Sequence, residues 1–278
     1  MTRQSFQCAG IAVDNLTSQE VLNRIKNMMD APGASPRYVA TVNLDFLVNA
    51  RGFRAGNPVL TRVLRESAVN TADGMPLVWL SRLTASPLRE RVTGSGLLAG
   101  LFRLCAAEGR GVFIMGGDKR VAASTSRKIK QLTGERIIKG FASPVISRAG
   151  AYLGAESEEE NLIRRINASG ARLLLLALGN PKQELWFARN KHRLKPAVVM
   201  GIGGGLNMFT GSLRRAPRWM RKTGLEWLFR LSLEPGRLWK RYLVDALFLV
   251  LRLLPELLLR GRTESRNNSS LEAAQWKP

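Results

Sequence analysis

The chain is poor in the residues that hold metal ions or act as nucleophiles. It has a single histidine in 278 residues, two cysteines, and 21 acidic residues against 43 Lys and Arg. Its six aspartates nowhere form Asp-x-Asp, and His192 sits between Lys191 and Arg193 in a stretch that reads as a solvated helix surface. No metal site is therefore expected. Cys8 and Cys105 lie far apart, make no disulfide framework and read as two ordinary buried thiols in a reducing compartment. The N-terminal segment lacks a long apolar run with a small-residue cleavage site, which argues against a signal peptide and for a cytoplasmic protein. Nucleotide fingerprints are missing too. There is no P-loop, and Gly201, Gly203 and Leu206 break the G-x-G-x-x-G pattern.

Positive charge is what the chain has in excess. A formal net charge of +22 calls for an anionic partner or surface. Between Arg214 and Arg241, "RRAPRWMRKTGLEWLFRLSLEPGRLWKR", nine basic residues meet two acids, with three tryptophans and a phenylalanine threaded through. That composition suits a helix at a membrane interface, and it also suits a single-stranded nucleic-acid groove. "YLVDALFLVLRLLPELLL", Tyr242 to Leu259, is long enough to span a bilayer. It carries Asp245, Arg252 and Glu256 at spacings of seven and four, extended by Arg241 and Arg260, which predicts one polar stripe on an otherwise apolar helix. Such a helix lies in the interface rather than crossing it, or else docks on the protein's own core.

The first 210 residues alternate strand and helix patterns. Strands are predicted at Tyr38–Asn43, Ala68–Thr71, Val112–Met115, Arg136–Phe141, Leu173–Leu178 and Ala197–Ile202. Helices are predicted at Gln19–Met29, Leu44–Ala50, Gly96–Ala107, Arg120–Gln131, Glu158–Asn167 and Gln183–His192. The fold class that follows is α/β, a doubly wound, mostly parallel Rossmann-like sheet. In "LLLLALGNPKQELW" the apolar run fits a strand buried on both faces, and Asn180, Pro181 and Gln183 fit a helix start close to a capping box. Polar segments recur wherever a strand gives way to a helix: Thr41 and Asn43, Asp73 and Gly74, Gly116 and Gly117, Gly179 to Lys182 and Gln183, and Gly203 with Gly204. Parallel strands would bring these ends to one edge as a composite pocket, and with no metal ligands a phosphate there would be met by Arg, Lys and backbone amides.

"TVNLDFLVNAR", "ADGMPLVWLSRL", "RVTG", "FIMGG", "LLLALGNPKQELW" and the block from "GIGGGLNMFTGSLRRAPRWM" through "EWLFRLSLEPGRLWKRYL" resemble the bacterial WecG/TagA/CpsF glycosyltransferase family. The resemblance runs from about Thr41 to Tyr242. It implies an inverting, metal-independent transfer of a sugar from a UDP-sugar to a sugar on a polyprenyl diphosphate, with no other cofactor. By the resemblance, Asp73 is the general base, Arg91 and Gln183 stand at the site, and Thr41 and Asn43 line it. Arg214, Arg215, Arg218 and Arg221 are candidates for lipid and diphosphate contact. It also implies a peripheral protein on the cytoplasmic face of the bacterial inner membrane, in contact with anionic lipid. Homo-oligomers are compatible with it. Many relatives carry aspartate where this chain has Gly96 and Asn207, which leaves glucose, N-acetylmannosamine and a uronic acid open as donor sugars.

The expected organisation is an α/β catalytic domain over 1–210, a basic, aromatic, helical membrane-associating appendage over 211–262 and a disordered tail over 263–278. A nucleic-acid-binding protein would explain the charge but not the strand-end motifs. A non-catalytic membrane scaffold would keep the appendage but would not need Asp73.

Overall fold

The computed structural model describes residues 4–259 except 32, 34 and 54, and gives the backbone alone at 218 and 222. The expected tail, with Arg260, lies outside the described residues. A hairpin, β1 (Ser5–Cys8) and β2 (Ile11–Asp14), opens the chain. Its four-residue strands are too short for the alternation in the sequence to reveal. Then follow α1 (Ser18–Asp30), β3 (Arg37–Val42), α2 (Leu44–Arg51), α3 (Pro58–Glu66), β4 (Val69–Ala72), α4 (Met75–Ser81) and α5 (Gly94–Ala107). The chain continues through β5 (Val112–Met115), α6 (Lys119–Thr133), β6 (Ile138–Ala142), α7 (Glu156–Ala168), β7 (Leu173–Leu176), α8 (Lys182–Asn190) and β8 (Val198–Gly201). Beyond these come α9 (Gly205–Thr210), α10 (Arg218–Thr223), α11 (Glu226–Leu233) and α12 (Pro235–Phe248), which continues helically through a π-turn, Leu249–Leu253, and residues 254–259.

Six strands form one parallel sheet in the order β4-β3-β8-β7-β5-β6. The predicted strands all exist, within two residues at each end. Why the sheet is buried on both faces is visible in β7, whose four leucines have no exposed surface. Leu173 and Leu175 pack with Val21, Ile25 and Leu101 on one face, while Leu174 and Leu176 pack with Phe46, Leu60 and Trp186 on the other. Each such leucine contributes about 1.5–3 kcal/mol of burial. The hairpin is fastened to the edge strand β4, where the Asp14 carboxylate accepts the Asn70 N–H at 2.7 Å and the Asn70 side-chain amide donates to the Ala12 and Leu64 carbonyls.

The C-terminal helix corrects the expected placement of its polar stripe. Phe248, Leu253 and Leu257 are buried against the core. Asp245 is buried too, Arg241 pairs with Asp45 of α2 at 3.3 Å, and Arg252 donates to the Phe53 carbonyl at 3.1 Å. Asp245 and Arg241 face the protein, Arg252 lies exposed at its edge, and Leu243, Leu247, Val250, Leu251, Leu258 and Leu259 face outward. One side of the helix docks on the core and the other presents an apolar surface. Among the described residues no helix is long and apolar enough to cross a membrane.

Candidate active site

Because β4, β3, β8 and β7 are neighbours, the loops leaving their carboxyl ends meet, and α11 and α12 close over them. They enclose a cavity of about 470 Å³. Of the residues singled out in the sequence, Thr41, Asn43, Asp73, Arg91, Gly179, Gln183, Gly203 and Gly204 line it. Gly116 and Gly117 do not, since β5 stands one strand beyond β7. Their block serves the fold instead: Gly116 has φ of 113° and passes so close to Ala177 that a Cβ would lie 2.5 Å from its carbonyl oxygen, while Asp118 caps α6. Lys182, Arg214, Arg215 and Arg221 also lie outside the lining, and the side chain of Arg218 is outside the described residues.

Asp73 follows β4, and its carboxylate accepts the backbone N–H of Gly94, the first residue of α5, at 3.2 Å. It does not cap α4, whose N-cap position is Gly74 with no side-chain bond. Burial pushes the Asp73 carboxyl up to about 6, against the opposing pull of the Gly94 N–H and the Arg91 guanidinium. Arg91 in turn pairs with Glu226, the first residue of α11, at 2.9 Å, with both side chains largely buried. Arg230 lines the same wall. Arg215, held below its usual range by burial and then by Arg221, also feels Arg91, Glu226 and Asp73. Among the described residues, Nε of Arg221 and of Arg230 is buried with no hydrogen-bond partner. Positive charge around Asp73 thus exceeds the one nearby glutamate that answers it.

Gly179, Asn180 and Gln183 of the Gly-Asn-Pro-Lys-Gln-Glu segment also line the cavity, and here the expected capping box is corrected. The N-cap position of α8 is Pro181, with no side-chain cap. The Asn180 carboxamide is used elsewhere, accepting from Asn49 at 2.8 Å and donating to Glu184 at 3.1 Å. Gln183 accepts the N–H groups of Gly179 and Gly203, both at 3.2 Å, and donates to Glu184 at 2.7 Å. Its carboxamide therefore ties the loops after β7 and β8 together rather than standing free in the cavity. Glu184, which the sequence did not single out, is fully buried and also accepts the Tyr38 hydroxyl at 2.8 Å. Burial raises its carboxyl to about 7, opposed by the donors on Gln183 and Tyr38. The network fits because residue 201 is glycine: a Cβ there would lie 2.5 Å from both Gln183 Nε2 and the Tyr38 hydroxyl.

At the α12 end, Arg241 stands between Asp45 and Asp245, at 3.3 and 3.8 Å. Burial, and then Asp45, lifts the Asp245 carboxyl to about 7. Thr41 donates to the Gly201 carbonyl at 3.3 Å and Asn43 caps α2, so both are held by the fold while lining the cavity. The Gly96 N–H donates to the Thr93 hydroxyl at 3.0 Å, and a Cβ at this position would lie 2.8 Å from that hydroxyl oxygen and 3.9 Å from the Arg215 guanidinium. Asn207 is exposed on α9. His192 is exposed, and both cysteines are buried, Cys105 with its thiol pushed up to about 12. Among the described residues no three His, Cys, Asp or Glu side chains gather as metal ligands.

A doubly wound sheet whose strand ends open on a cavity holding a buried carboxylate among arginines has the architecture of an α/β enzyme. The chain belongs to the glycosyl transferase WecG/TagA/CpsF family, whose family model matches residues 6–263, and it is a glycosyltransferase. It is 32% identical over 202 residues, 71% of this chain and 74% of the relative, to the N-acetylglucosaminyldiphosphoundecaprenol N-acetyl-beta-D-mannosaminyltransferase of Bacillus spizizenii.

Proposed function

We propose that this enzyme transfers a sugar, with inversion and without a metal ion, from a UDP-sugar to a sugar carried on a polyprenyl diphosphate. In this reading the acceptor hydroxyl oxygen attacks the anomeric carbon and its proton passes to Asp73. The bond from that carbon to the diphosphate oxygen breaks, and UDP leaves with the electron pair. The observation that carries the reading is Asp73 itself, a cavity carboxylate raised to about 6, where a base is still ionised at neutral pH and has useful proton affinity. The surplus of arginine beside it supports charge neutralisation of a diphosphate by guanidiniums. The relative's lipid-linked acceptor, together with the outward apolar face of the C-terminal helix, supports peripheral attachment to the membrane, on whose cytoplasmic face we place the enzyme.

The donor follows the relative in the first instance, N-acetylmannosamine, with glucose and a uronic acid as competitors because Gly96 and Asn207 depart from the common pattern. The test is UDP release from UDP-N-acetylmannosamine, UDP-glucose and a UDP-uronic acid, each with and without a polyprenyl diphosphate N-acetylglucosamine. Release that depends on both substrates is expected for one donor. Absence of acceptor-dependent release with every donor would overturn the proposal.

A further inference from the structure

A second recess lies outside the cavity that holds Asp73. Arg51 at the end of α2, Arg62 and Arg65 of α3, and Arg252 of the C-terminal helix line a groove of about 680 Å³, with Glu66 in its wall. Four guanidiniums thus meet one carboxylate, and Lys191 already engages that carboxylate at 3.1 Å. Arg65 donates to the Gly10 carbonyl at 3.2 Å and Arg252 to that of Phe53 at 3.1 Å, which fixes two of the four side chains. Among the described residues neither Arg51 nor Arg62 has an acidic partner. Among the described residues this charge is assembled and left largely without acidic partners, so the chemistry that fits is an anion with several acceptor oxygens.

The surroundings decide which anion. Arg252 shares its helix with Val250, Leu251, Leu258 and Leu259, all more than half exposed. Phe53, itself 42% exposed, packs edge-on against Phe248 of that helix with ring centroids 5.5 Å apart. The cations therefore stand at the margin of an apolar surface, which is how lipid phosphates stand above their acyl chains. A freely diffusing anion would need no such margin. We infer that this groove takes the phosphate of an anionic lipid headgroup while the apolar face beside it enters the acyl boundary. The membrane contact then includes α2 and α3 as well as the C-terminal helices, and two contacts rather than one fix the tilt of the cavity over the bilayer. This rests on the proposed membrane attachment of the C-terminal helix.

Arg51→Gln with Arg62→Gln tests it in the full chain, because among the described residues neither side chain has an ion-pair partner to lose. Binding is measured by flotation with phosphatidylcholine vesicles and with vesicles that also contain phosphatidylglycerol. Each neutralised cation is expected to weaken binding to the anionic vesicles about fivefold, the equivalent of about 1 kcal/mol, while binding to neutral vesicles and UDP release on a water-soluble acceptor stay unchanged. A double variant that keeps the wild-type preference for anionic vesicles overturns the assignment, and so does one that loses both vesicle types equally. Displacement of the wild type from vesicles by inorganic phosphate at constant ionic strength would give the groove to a free anion instead. A wild type that floats with neither vesicle would remove the membrane contact altogether, and UDP release on the soluble acceptor would then show separately whether the transferase reading survives.

Discussion

Glu226 pairs with Arg91 at 2.9 Å across 135 positions of sequence, and so fastens the C-terminal helices to the segment that leads from α4 into α5. The pair is largely buried, so removing either partner strands a charge in a poorly solvated wall. Arg91→Ala and Glu226→Ala are each expected to destabilise by about 1–3 kcal/mol in denaturant titrations, and the double variant by clearly less than the sum. Strictly additive losses would mean that the two side chains do not couple. Both single variants should also lose turnover, because Glu226 holds one wall of the cavity.

Stability should fall as pH rises through neutrality. Burial raises Asp73 to about 6 and Glu184 and Asp245 to about 7, all above the usual carboxylate range. A carboxyl whose folded-state value is raised contributes stability that is present below its unfolded value and lost as pH climbs through the folded one. The window is therefore about pH 4 to 8, and melting temperature should decline across its upper half. Asp245→Asn should flatten that decline. A melting curve that rises steadily from about pH 5 to 8 would contradict it.

Tyr38→Phe isolates the buried network. The ring keeps its stack on Phe187, with centroids 4.6 Å apart, and only the hydroxyl that donates to Glu184 is lost. A donor to a carboxylate favours the ionised form, so its removal should lift Glu184 further and cost about 1–2 kcal/mol. The deficit should be larger above pH 7 than below it, because protonation relieves the missing bond. An equal deficit at both ends would show that Glu184 stays in one protonation state throughout.

Chelation should leave the reaction running. Among the described residues no cluster of carboxylates or imidazoles is available, and arginines surround Asp73 instead. Acceptor-dependent UDP release in excess EDTA is the measurement. Complete loss, restored by magnesium or manganese, would mean that a divalent ion neutralises the diphosphate.

How far the sequence reveals this site depends on the range of each interaction. Leu173–Leu176 announces a doubly buried strand by its own composition, and the polar segments after β3, β4, β7 and β8 do converge. Strand order is not written in any segment, so the Gly116–Gly117 block looks equivalent to the others until β5 is found one strand beyond β7. Asn180 has the local features of a helix cap, yet its carboxamide meets Asn49, 131 positions away. Glu226 and Asp45 lie inside blocks that carry the family resemblance, yet nothing local says which residues they pair with, and their importance, like that of Asp245, comes from pairing across the chain. By spacing alone Asp245 belongs to the polar edge of a surface helix, because spacing gives the stripe but not the direction in which it faces. The arginine groove was invisible for the same reason, since its members come from α2, α3 and the C-terminal helix.

Asp73→Asn bears directly on the chemistry. An asparagine can keep its side-chain oxygen on the Gly94 N–H, the bond that the carboxylate makes at 3.2 Å, and α4 does not depend on residue 73 for a cap. The fold and the binding of UDP should therefore persist, with melting temperature unchanged or slightly raised at neutral pH, since a buried charge has been removed. Asparagine cannot take the proton from the acceptor hydroxyl, and loss of general-base catalysis typically costs 10² to 10⁴-fold. Turnover is expected to fall by about that factor, and the acidic limb of the wild-type kcat/KM profile should carry an ionisation near the raised Asp73 value of about 6. Near-normal turnover in the variant would leave Asp73 with only its structural bond to α5, and another group would have to be the base.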